Sequence, residues 1–330
     1  MPSSLRISEH THSSGKPASR SAAVRWGLAL LVFMFVLYAI TLQPVINGSS
    51  DLYAEDVGEF QNVLMQWGTA HPTGYPLYAL GGALISSLLR MAGLPPALAA
   101  SAFSLLVMLL ALLGVYVLLL KINVKPMLAA GTAALLGVLF PYWYHAAVAE
   151  VYALLIALLV LSLLIAVQWR TDHKPRHLYE LAFAFGLAFG HHRLAVLIAP
   201  ALLVSVWPVF WAALRERPLR LLGALLSLAA AFLIYLYLPL RAGPGGAWIY
   251  GQPGTWQGFW AIVLAREYGA LVKPARDLSQ TEAGLTTVVT TLADNMTWVM
   301  LAAGLCGLGL SLATKARRLL ALSLWILLVT

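Results

Sequence analysis

Charged residues and cysteine are both scarce in this chain. Asp, Glu, Lys and Arg make up 10% of its 330 residues, 61% are hydrophobic, and the mean hydropathy is +0.82. This balance is too apolar for a soluble domain of such length, which excludes a water-soluble enzyme or binding module. The one cysteine, Cys306, excludes an internal disulfide and any metal or redox site built on several thiols.

Apolar stretches long enough to cross a bilayer recur along the chain. About 20 apolar residues are needed, because the hydrocarbon core is about 30 Å thick and every backbone amide in it must be paired. The sequence predicts an all-α integral membrane protein with about eight or nine transmembrane helices in residues 26 to 330, after a disordered cytoplasmic tail over residues 1 to 25. The predicted spans cover residues 26 to 46, 97 to 120, 126 to 143, 151 to 169, 177 to 190, 194 to 213, 219 to 239 and 290 to 312.

The basic residues indicate the orientation of these spans. If the apolar segment from Tyr75 to Met91 lies in the membrane interface or re-enters, 15 of the 21 Lys and Arg residues fall on the side of the N-terminal tail. If it crosses, the positive-inside rule fails at every later loop. We therefore predict a cytoplasmic N-terminus and an interfacial segment there, and we attribute the net charge of +8 to topology, with no nucleic-acid partner.

This topology places two long loops outside, over residues 47 to 96 and 240 to 289. Nine of the 13 acidic residues then lie at the outer face. The later loop contains a Trp-rich stretch, for which we predict a second interfacial helix. A last apolar run of about a dozen residues follows Arg318 and is too short to span, so we expect the chain to be truncated at its C-terminus.

Four carboxylates lie within nine residues of the first outer loop, in the sequence DLYAEDVGE. Asp56 and Glu59 would share one face of a helix. Such a pair can keep one carboxyl protonated and the other ionised, or bind a divalent cation through oxygen ligands. A solvated acidic loop is the alternative, and no metal is assigned from the sequence.

Other polar residues near the predicted outer face are candidates for substrate contacts. A turn rich in proline and glycine carries His71 and Tyr75, although a hydrogen-bonded loop histidine is the commoner role. Glu150 precedes a span, where desolvation is costly for a carboxylate that is neither paired nor used. The arginines could bind phosphate through bidentate hydrogen bonds. The alternative is that they anchor the protein in the headgroup layer. The full set of predicted binding residues is His71, Tyr75, His145, Glu150, His191, Arg193, Arg241 and Arg266.

Four segments give the chain a resemblance to a known family. They are EDVGEF at 55 to 60, HPTGYPLY at 71 to 78, HAAVAEVYAL at 145 to 154, and the stretch from YLPLRAGPGGAW to REY at 237 to 268. In this order they resemble the transmembrane-protein-260 type of protein O-mannosyltransferases. The resemblance implies a GT-C helical fold, a polyprenyl-phosphate sugar donor, mannose as the sugar, and transfer at the outer face.

From the residues and the resemblance together we expect an inverting glycosyltransferase of the cell membrane, in a bacterial inner membrane. Asp56 would act as general base on a protein or lipid hydroxyl, with Glu59 orienting the acceptor or a cation. Arg241, with Arg193 or Arg266, would stabilise the leaving phosphate. The alternatives are a transporter or flippase of lipid-linked sugars, which predicts ionisable pairs at mid-span and internal repeats, and a non-catalytic assembly subunit.

Overall fold

A computed structural model describes residues 20–47, 55–243 and 248–270, together with residues 282–284, 286, 287, 290, 291 and 294. Within these residues the secondary structure is helical apart from one isolated pair of bridged residues, Thr69 and Ile249. The α-helices in chain order are α1 (Arg20–Thr41), α2 (Glu55–Gln66), α3 (Pro76–Met91), α4 (Pro96–Lys121), α5 (Pro126–Gly137), α6 (Phe140–Ala147), α7 (Tyr152–Asp172), α8 (Arg176–His191), α9 (Ala199–Glu216), α10 (Arg220–Ala231), α11 (Tyr237–Arg241) and α12 (Trp256–Val263).

Five helical segments are long and apolar enough to cross a membrane, or six if the bent pair α5 and α6 is one span. They are Arg20–Thr41, Pro96–Lys121, Tyr152–Asp172, Arg193–Glu216 and Arg220–Arg241. The protein is therefore a helical membrane protein. The predicted span at 177 to 190 corresponds to the 16-residue α8, whereas the predicted spans after residue 289 lie outside the described residues or have only isolated positions there. The number of eight or nine spans stays a prediction.

Helix α1 shows how these segments pack. Its buried residues are Gly27, Leu30, Met34 and Tyr38, which recur at helical spacing along one stripe. The opposite face leaves large apolar side chains uncovered, as expected for a surface that contacts lipid. The helix begins at Arg20, so the last six residues of the predicted disordered tail are helical.

Proline explains three departures from the predicted straight spans. Between α5 and α6 the chain bends by 72°, because Pro141 has no amide hydrogen to donate and its ring disfavours a continuous helix through residue 140. Pro200 lies in the first turn of α9, which is preceded by the 3-10 helix Arg193–Ile198. Pro239 removes another backbone donor, and the turn before it is the 3-10 helix Phe232–Leu236.

Helix α3 is a helix of 16 residues, as predicted for an apolar segment in this part of the chain. At 1.5 Å per residue it is about 24 Å long, shorter than the hydrocarbon core of about 30 Å. It packs between α2 and α4, where Tyr78, Ala79 and Ala83 are fully buried. Its depth in the membrane stays a prediction.

Close helix packing at Gly186 gives a testable prediction about stability. A Cβ atom there would lie 2.8 Å from Ala231 Cβ and 2.9 Å from the Leu228 carbonyl oxygen. Gly186→Leu should therefore separate α8 from α10 and lower the free energy of unfolding by about 1–3 kcal/mol. Thermal unfolding in detergent measures this. The matched control is Gly131→Leu on the exposed face of α5, where a Cβ meets nothing within 4 Å; equal destabilisation by both variants would contradict the packing assignment.

Candidate active site

Helix α2 positions the first two acidic residues of the site. Val57, Phe60, Val63 and Leu64 form its buried stripe, so the helix is fixed against the core on one side. Carboxylates in the first turn of a helix are stabilised by its dipole. The remaining face carries Asp56 and Glu59 one turn apart.

His71 joins the two carboxylates. Its backbone N–H donates to Glu59 Oε1 at 2.9 Å, and its Nδ1 lies 2.6 Å from Glu59 Oε2. Its Nε2 lies 3.9 Å from Asp56 Oδ2. The side chains of Glu59 and His71 are 16% and 11% exposed, whereas that of Asp56 is 57% exposed. Glu59 and His71 therefore form a buried, hydrogen-bonded pair, and Asp56 is the accessible carboxylate of the cluster.

The electrostatics of His71 follow from these contacts. Burial alone would lower the pKa of its imidazole, but the hydrogen bond and charge of Glu59, with the charges of Asp56 and Glu150, raise that pKa above its ordinary value. The protonated imidazole then offsets part of the negative charge of the cluster.

The turn after His71 holds the histidine in place. The N–H of Gly74 donates to the carbonyl of His71 at 2.6 Å. Gly74 has a φ of +82°, and a Cβ there would lie 3.0 Å from side-chain atoms of Leu238 and Ile262. The glycine is thus required both by the backbone conformation and by the close approach of the Leu238 and Ile262 side chains.

Glu150 is buried close enough to the cluster to interact with His71 electrostatically. It is 3% exposed, and one carboxylate oxygen accepts a hydrogen bond from Val151 N at 3.1 Å. Burial raises the pKa of Glu150 to about 8, with the charges of Asp56 and Glu59 adding to the shift. Ser104 fixes the backbone at this point, since its hydroxyl accepts from Glu150 N and donates to Glu150 O. At neutral pH most of Glu150 is therefore protonated.

Aromatic rings connect the acidic cluster to the next helix. Tyr75 lies edge-on to His71 at a centroid distance of 5.2 Å and also contacts His191 at 5.8 Å. His191 is 1% exposed and its Nε2 donates to the carbonyl of Val151 at 2.9 Å. His191 therefore fixes the start of α7, with substrate contact left as a prediction. His145 contacts Tyr152, with their ring centroids 4.5 Å apart.

A cavity of about 460 Å³ opens beside the cluster. Arg193 lies in its wall and donates to the carbonyls of Phe189 and Val263. The hydroxyl of Thr73 is buried there without a hydrogen-bond partner. The cavity is lined by Pro72, Thr73, Tyr75, His192, Arg193, Leu264, Ala265, Tyr268 and Gly269. A polar ligand at this position would have a cation, imidazole and hydroxyl groups within reach.

Arg241 binds backbone carbonyls at the end of α2. Its Nε donates to Trp67 O at 2.6 Å and its Nη2 to Gln66 O at 3.3 Å. These are carbonyls at the C-terminal end of α2, which a helix leaves unpaired and which attract positive charge. Tyr237 adds a hydrogen bond from its hydroxyl to Gly68 O at 3.0 Å. Arg241 therefore holds the start of the second long loop, residues 240 to 289, against the helix that carries Asp56.

The described part of the second long loop also includes Arg266. Arg266 is exposed and makes no ion pair with a carboxylate in the part of the chain that the structure describes. Its neighbour Glu267 accepts from the Tyr250 hydroxyl at 3.0 Å, and the Tyr250 ring lies 6.4 Å from His71. Second-loop residues therefore reach the histidine of the first loop.

Similarity to a known protein covers 86% of this chain. Residues 56–213 match the model of the protein O-mannosyl-transferase TMEM260 N-terminal domain. Protein O-mannosyl-transferase TMEM260 of Mus musculus is 28% identical over 307 residues, which cover 86% of this chain and 40% of the mouse protein. The chain is related to the TMEM260-type protein O-mannosyltransferases. No solved structure matches the chain.

The matched TMEM260-type region includes most of the predicted site. It begins at Asp56 and ends before Arg241 and Arg266, which lie in the second outer loop. The chain spans less than half the length of the mouse TMEM260 protein. The relationship predicted from four short segments is thus confirmed, while the role of each site residue stays a prediction.

Sequence reasoning missed several residues that the structure brings to the candidate site. His192 lines the cavity, and burial, followed by the charges of Arg193 and His71, lowers its pKa to about 4. Its Nδ1 accepts from Leu194 N, so the neutral ring carries its hydrogen on Nε2 as a donor. His192 could have been found from its position between two predicted site residues, His191 and Arg193. Ser104 and Tyr250 could not have been found from the sequence, because each is one of many similar residues in an apolar or aromatic stretch.

The raised pKa of His71 gives a prediction for stability against pH. A group whose pKa is higher in the folded state stabilises that state fully below its unfolded pKa, here about 6.5, and loses this contribution as pH rises through the folded value. Wild type should therefore exceed Glu59→Gln in unfolding temperature by more at pH 5.5 than at pH 9. Thermal unfolding of both proteins in one detergent measures the difference. A difference that grows with pH would contradict the assigned ion pair.

Proposed function

We propose that this chain transfers a sugar from a polyprenyl-phosphate donor to a hydroxyl group of a protein or lipid, at the outer face of the membrane and with inversion at the anomeric carbon. The observation that carries the proposal is the Asp56, Glu59 and His71 cluster beside a cavity whose lining includes Thr73, His192 and Arg193, in a helical membrane protein related to TMEM260-type enzymes. Mannose is the proposed sugar, because the mouse relative is named as an O-mannosyltransferase.

Differences among the three carboxylates favour Asp56 as the general base. Glu59 is engaged through both oxygens by His71. Glu150 is buried, and its raised pKa keeps it largely protonated at neutral pH. Asp56 is exposed over 57% of its side chain, so an acceptor hydroxyl can reach it. Geometry comes before pKa in choosing a base, and only Asp56 of the three offers access.

The proposed reaction is a single displacement. Asp56 takes the proton of the acceptor hydroxyl while the oxygen attacks the anomeric carbon from the side opposite the phosphate. The bond between that carbon and the phosphate oxygen breaks, and the lipid phosphate leaves with the electron pair. Inversion follows from attack and departure on opposite faces. Glu59 is proposed to orient Asp56 through His71, which contacts both carboxylates.

The cavity beside Tyr75 is the proposed position of the donor headgroup. Arg193 uses two of the five guanidinium N–H groups in its contacts with carbonyls, so others can donate to phosphate oxygens. The Nε2–H of His192 and the buried hydroxyl of Thr73 provide further donors at the same wall. Arg266 is proposed to add positive charge from the exposed side. These groups favour an anionic leaving group over a neutral one.

Arg241 is proposed to act mainly by holding α2 in register with the second loop. Two of its nitrogens donate to carbonyls at the end of that helix. It contributes to phosphate binding only through the N–H groups that remain. This differs from the direct phosphate contact that the sequence predicts.

A GT-C-like arrangement and an outward-facing site are part of the same proposal. The basic residues at the far ends of α4, α7 and α9, such as Lys121, Arg170 and Arg215, support a cytoplasmic location for those ends. The acidic cluster precedes α3, and Tyr75 beside it contacts His191 at the end of α8, near the start of α7. These contacts support a location at the opposite end of the helices. α3 and α12 are proposed to lie in the interface, with the lipid chains of the donor entering between them and the spans.

Asp56→Asn tests the proposed base. Transfer should fall by about 100-fold or more, because general-base catalysis contributes about 10²–10⁴, while the unfolding temperature stays close to wild type since the side chain is exposed. The measurement is release of polyprenyl phosphate from a radiolabelled polyprenyl-phosphate mannose by purified protein with an acceptor peptide. Glu216→Gln is the matched control, since Glu216 is an exposed carboxylate at the far end of α9. Wild-type rates in Asp56→Asn would remove Asp56 from the mechanism.

The same assay separates the alternatives. A flippase would move the intact donor across vesicles without releasing lipid phosphate, and an assembly subunit would do neither. The described spans favour the transferase, since α1, α4 and α7 carry their Lys, Arg, Asp and Glu residues only near their ends. Translocation without cleavage would overturn the proposal.

A further inference from the structure

The convergence of Asp56, Glu59 and His71 has a consequence beyond general-base catalysis. Each residue offers one ligand atom, and these three atoms lie within 4.8 Å of one another. Ligand atoms bound to one ion at about 2.0–2.2 Å are separated by about 3–4.4 Å, so a small contraction of this cluster would close it on an ion. Among the described residues no other group of three such side chains comes so close together.

A second cluster of the same residue types shows that composition alone does not create such a site. His177 also contacts an aspartate and a glutamate. Its Nδ1 lies 2.5 Å from Glu180 Oε2, and its Nε2 lies 3.1 Å from Asp172 Oδ2. The ligand atoms of this second cluster do not all come within 4.8 Å of one another, whereas those of Asp56, Glu59 and His71 do.

Glu150 provides an independent indication of a cationic ligand. It is 97% buried, since only 3% of its surface is exposed. One oxygen accepts from Val151 N, and the other accepts no hydrogen bond from a described residue. An ionised carboxylate buried this deeply is costly without a positive partner, so the protein alone favours the protonated form of Glu150, and a cation bound nearby would favour the ionised form.

The donor set selects the kind of ion. Two carboxylates and one imidazole combine oxygen and nitrogen ligands, which suits Mn²⁺ or Zn²⁺ better than the oxygen-preferring Mg²⁺ or Ca²⁺. Three protein ligands leave coordination positions open, as in catalytic rather than structural metal sites. The exposed side of Asp56 gives those positions access to a ligand.

We propose that Asp56, Glu59 and His71 bind one Mn²⁺ or Zn²⁺ ion, whose open positions take an oxygen atom of the donor phosphate. Binding of the ion stands on the three side chains alone, whereas its contact with phosphate rests on the proposed function. Coordination through one oxygen of Asp56 leaves its second oxygen to accept the proton from the acceptor. The ion would also neutralise charge that develops on the leaving phosphate.

Direct metal binding tests the proposal without any assay of transfer. The full chain is purified in detergent, stripped with a chelator, exchanged into chelator-free buffer and titrated with MnCl₂, while free Mn²⁺ is followed by electron paramagnetic resonance. Wild type should bind one Mn²⁺ per chain, and ZnCl₂ should displace it. Asp56→Asn and Glu59→Gln should each weaken binding by about tenfold or more.

The matched control is Glu180→Gln, which removes a carboxylate from the non-converging cluster at His177 and should bind Mn²⁺ like wild type. Size-exclusion profiles and unfolding temperatures show whether each variant is folded. Asp56→Asn is the decisive variant, because Asp56 is exposed and the fold does not depend on it. No stoichiometric Mn²⁺ site in wild type, or equal affinity in Asp56→Asn, would overturn the proposal.

Transfer measured in chelator separates this inference from the proposed function. Metal binding without transfer would support the ion site and contradict the proposed function. Transfer at full rate in chelator, by protein shown to be free of metal, would support the proposed function and contradict a role for the ion in it.

Discussion

The arrangement of the candidate site depends on the C-terminal end of α2. A helix end leaves carbonyl groups unpaired, and buried carbonyls must find donors. Here Arg241 and Tyr237 supply them from about 170 residues further along the chain, and the Thr69 and Ile249 bridge continues the contact. Because α2 carries Asp56 and Glu59 on its first turns, this contact fixes the carboxylates relative to the second loop.

Much of the helical framework could be predicted from the sequence, because apolar length and proline positions act locally. The starts of α3, α4 and α5 coincide with Pro76, Pro96 and Pro126. The proximity of Asp56 and Glu59 could be predicted from their spacing. The hydrogen bonds of Arg241 to carbonyls could not, since an arginine after a span predicts phosphate binding and carbonyl binding equally well. The bend after α5 shows the same limit, because hydropathy does not register a change of direction.

The three carboxylates of the site differ through their surroundings, although their side chains are chemically similar. Glu59 is held by His71, Glu150 is buried beside Ser104, and Asp56 faces the solvent. Burial and ion pairing thus give the three carboxylates different accessibility and different protonation within one small region, and the proposed roles depend on these differences. The apolar cavity of about 600 Å³ between α8, α9 and α10 has no comparable polar groups in its lining.

The account requires both loops to lie on the outer side of the membrane, and cysteine accessibility tests this most directly. In a Cys306→Ser background, Asp56→Cys, Gln252→Cys and Arg217→Cys each introduce one exposed thiol. A membrane-impermeant maleimide should label the first two in intact cells and the third only after permeabilisation. Labelling of positions 56 and 252 from opposite sides, or of both only after permeabilisation, would contradict the account.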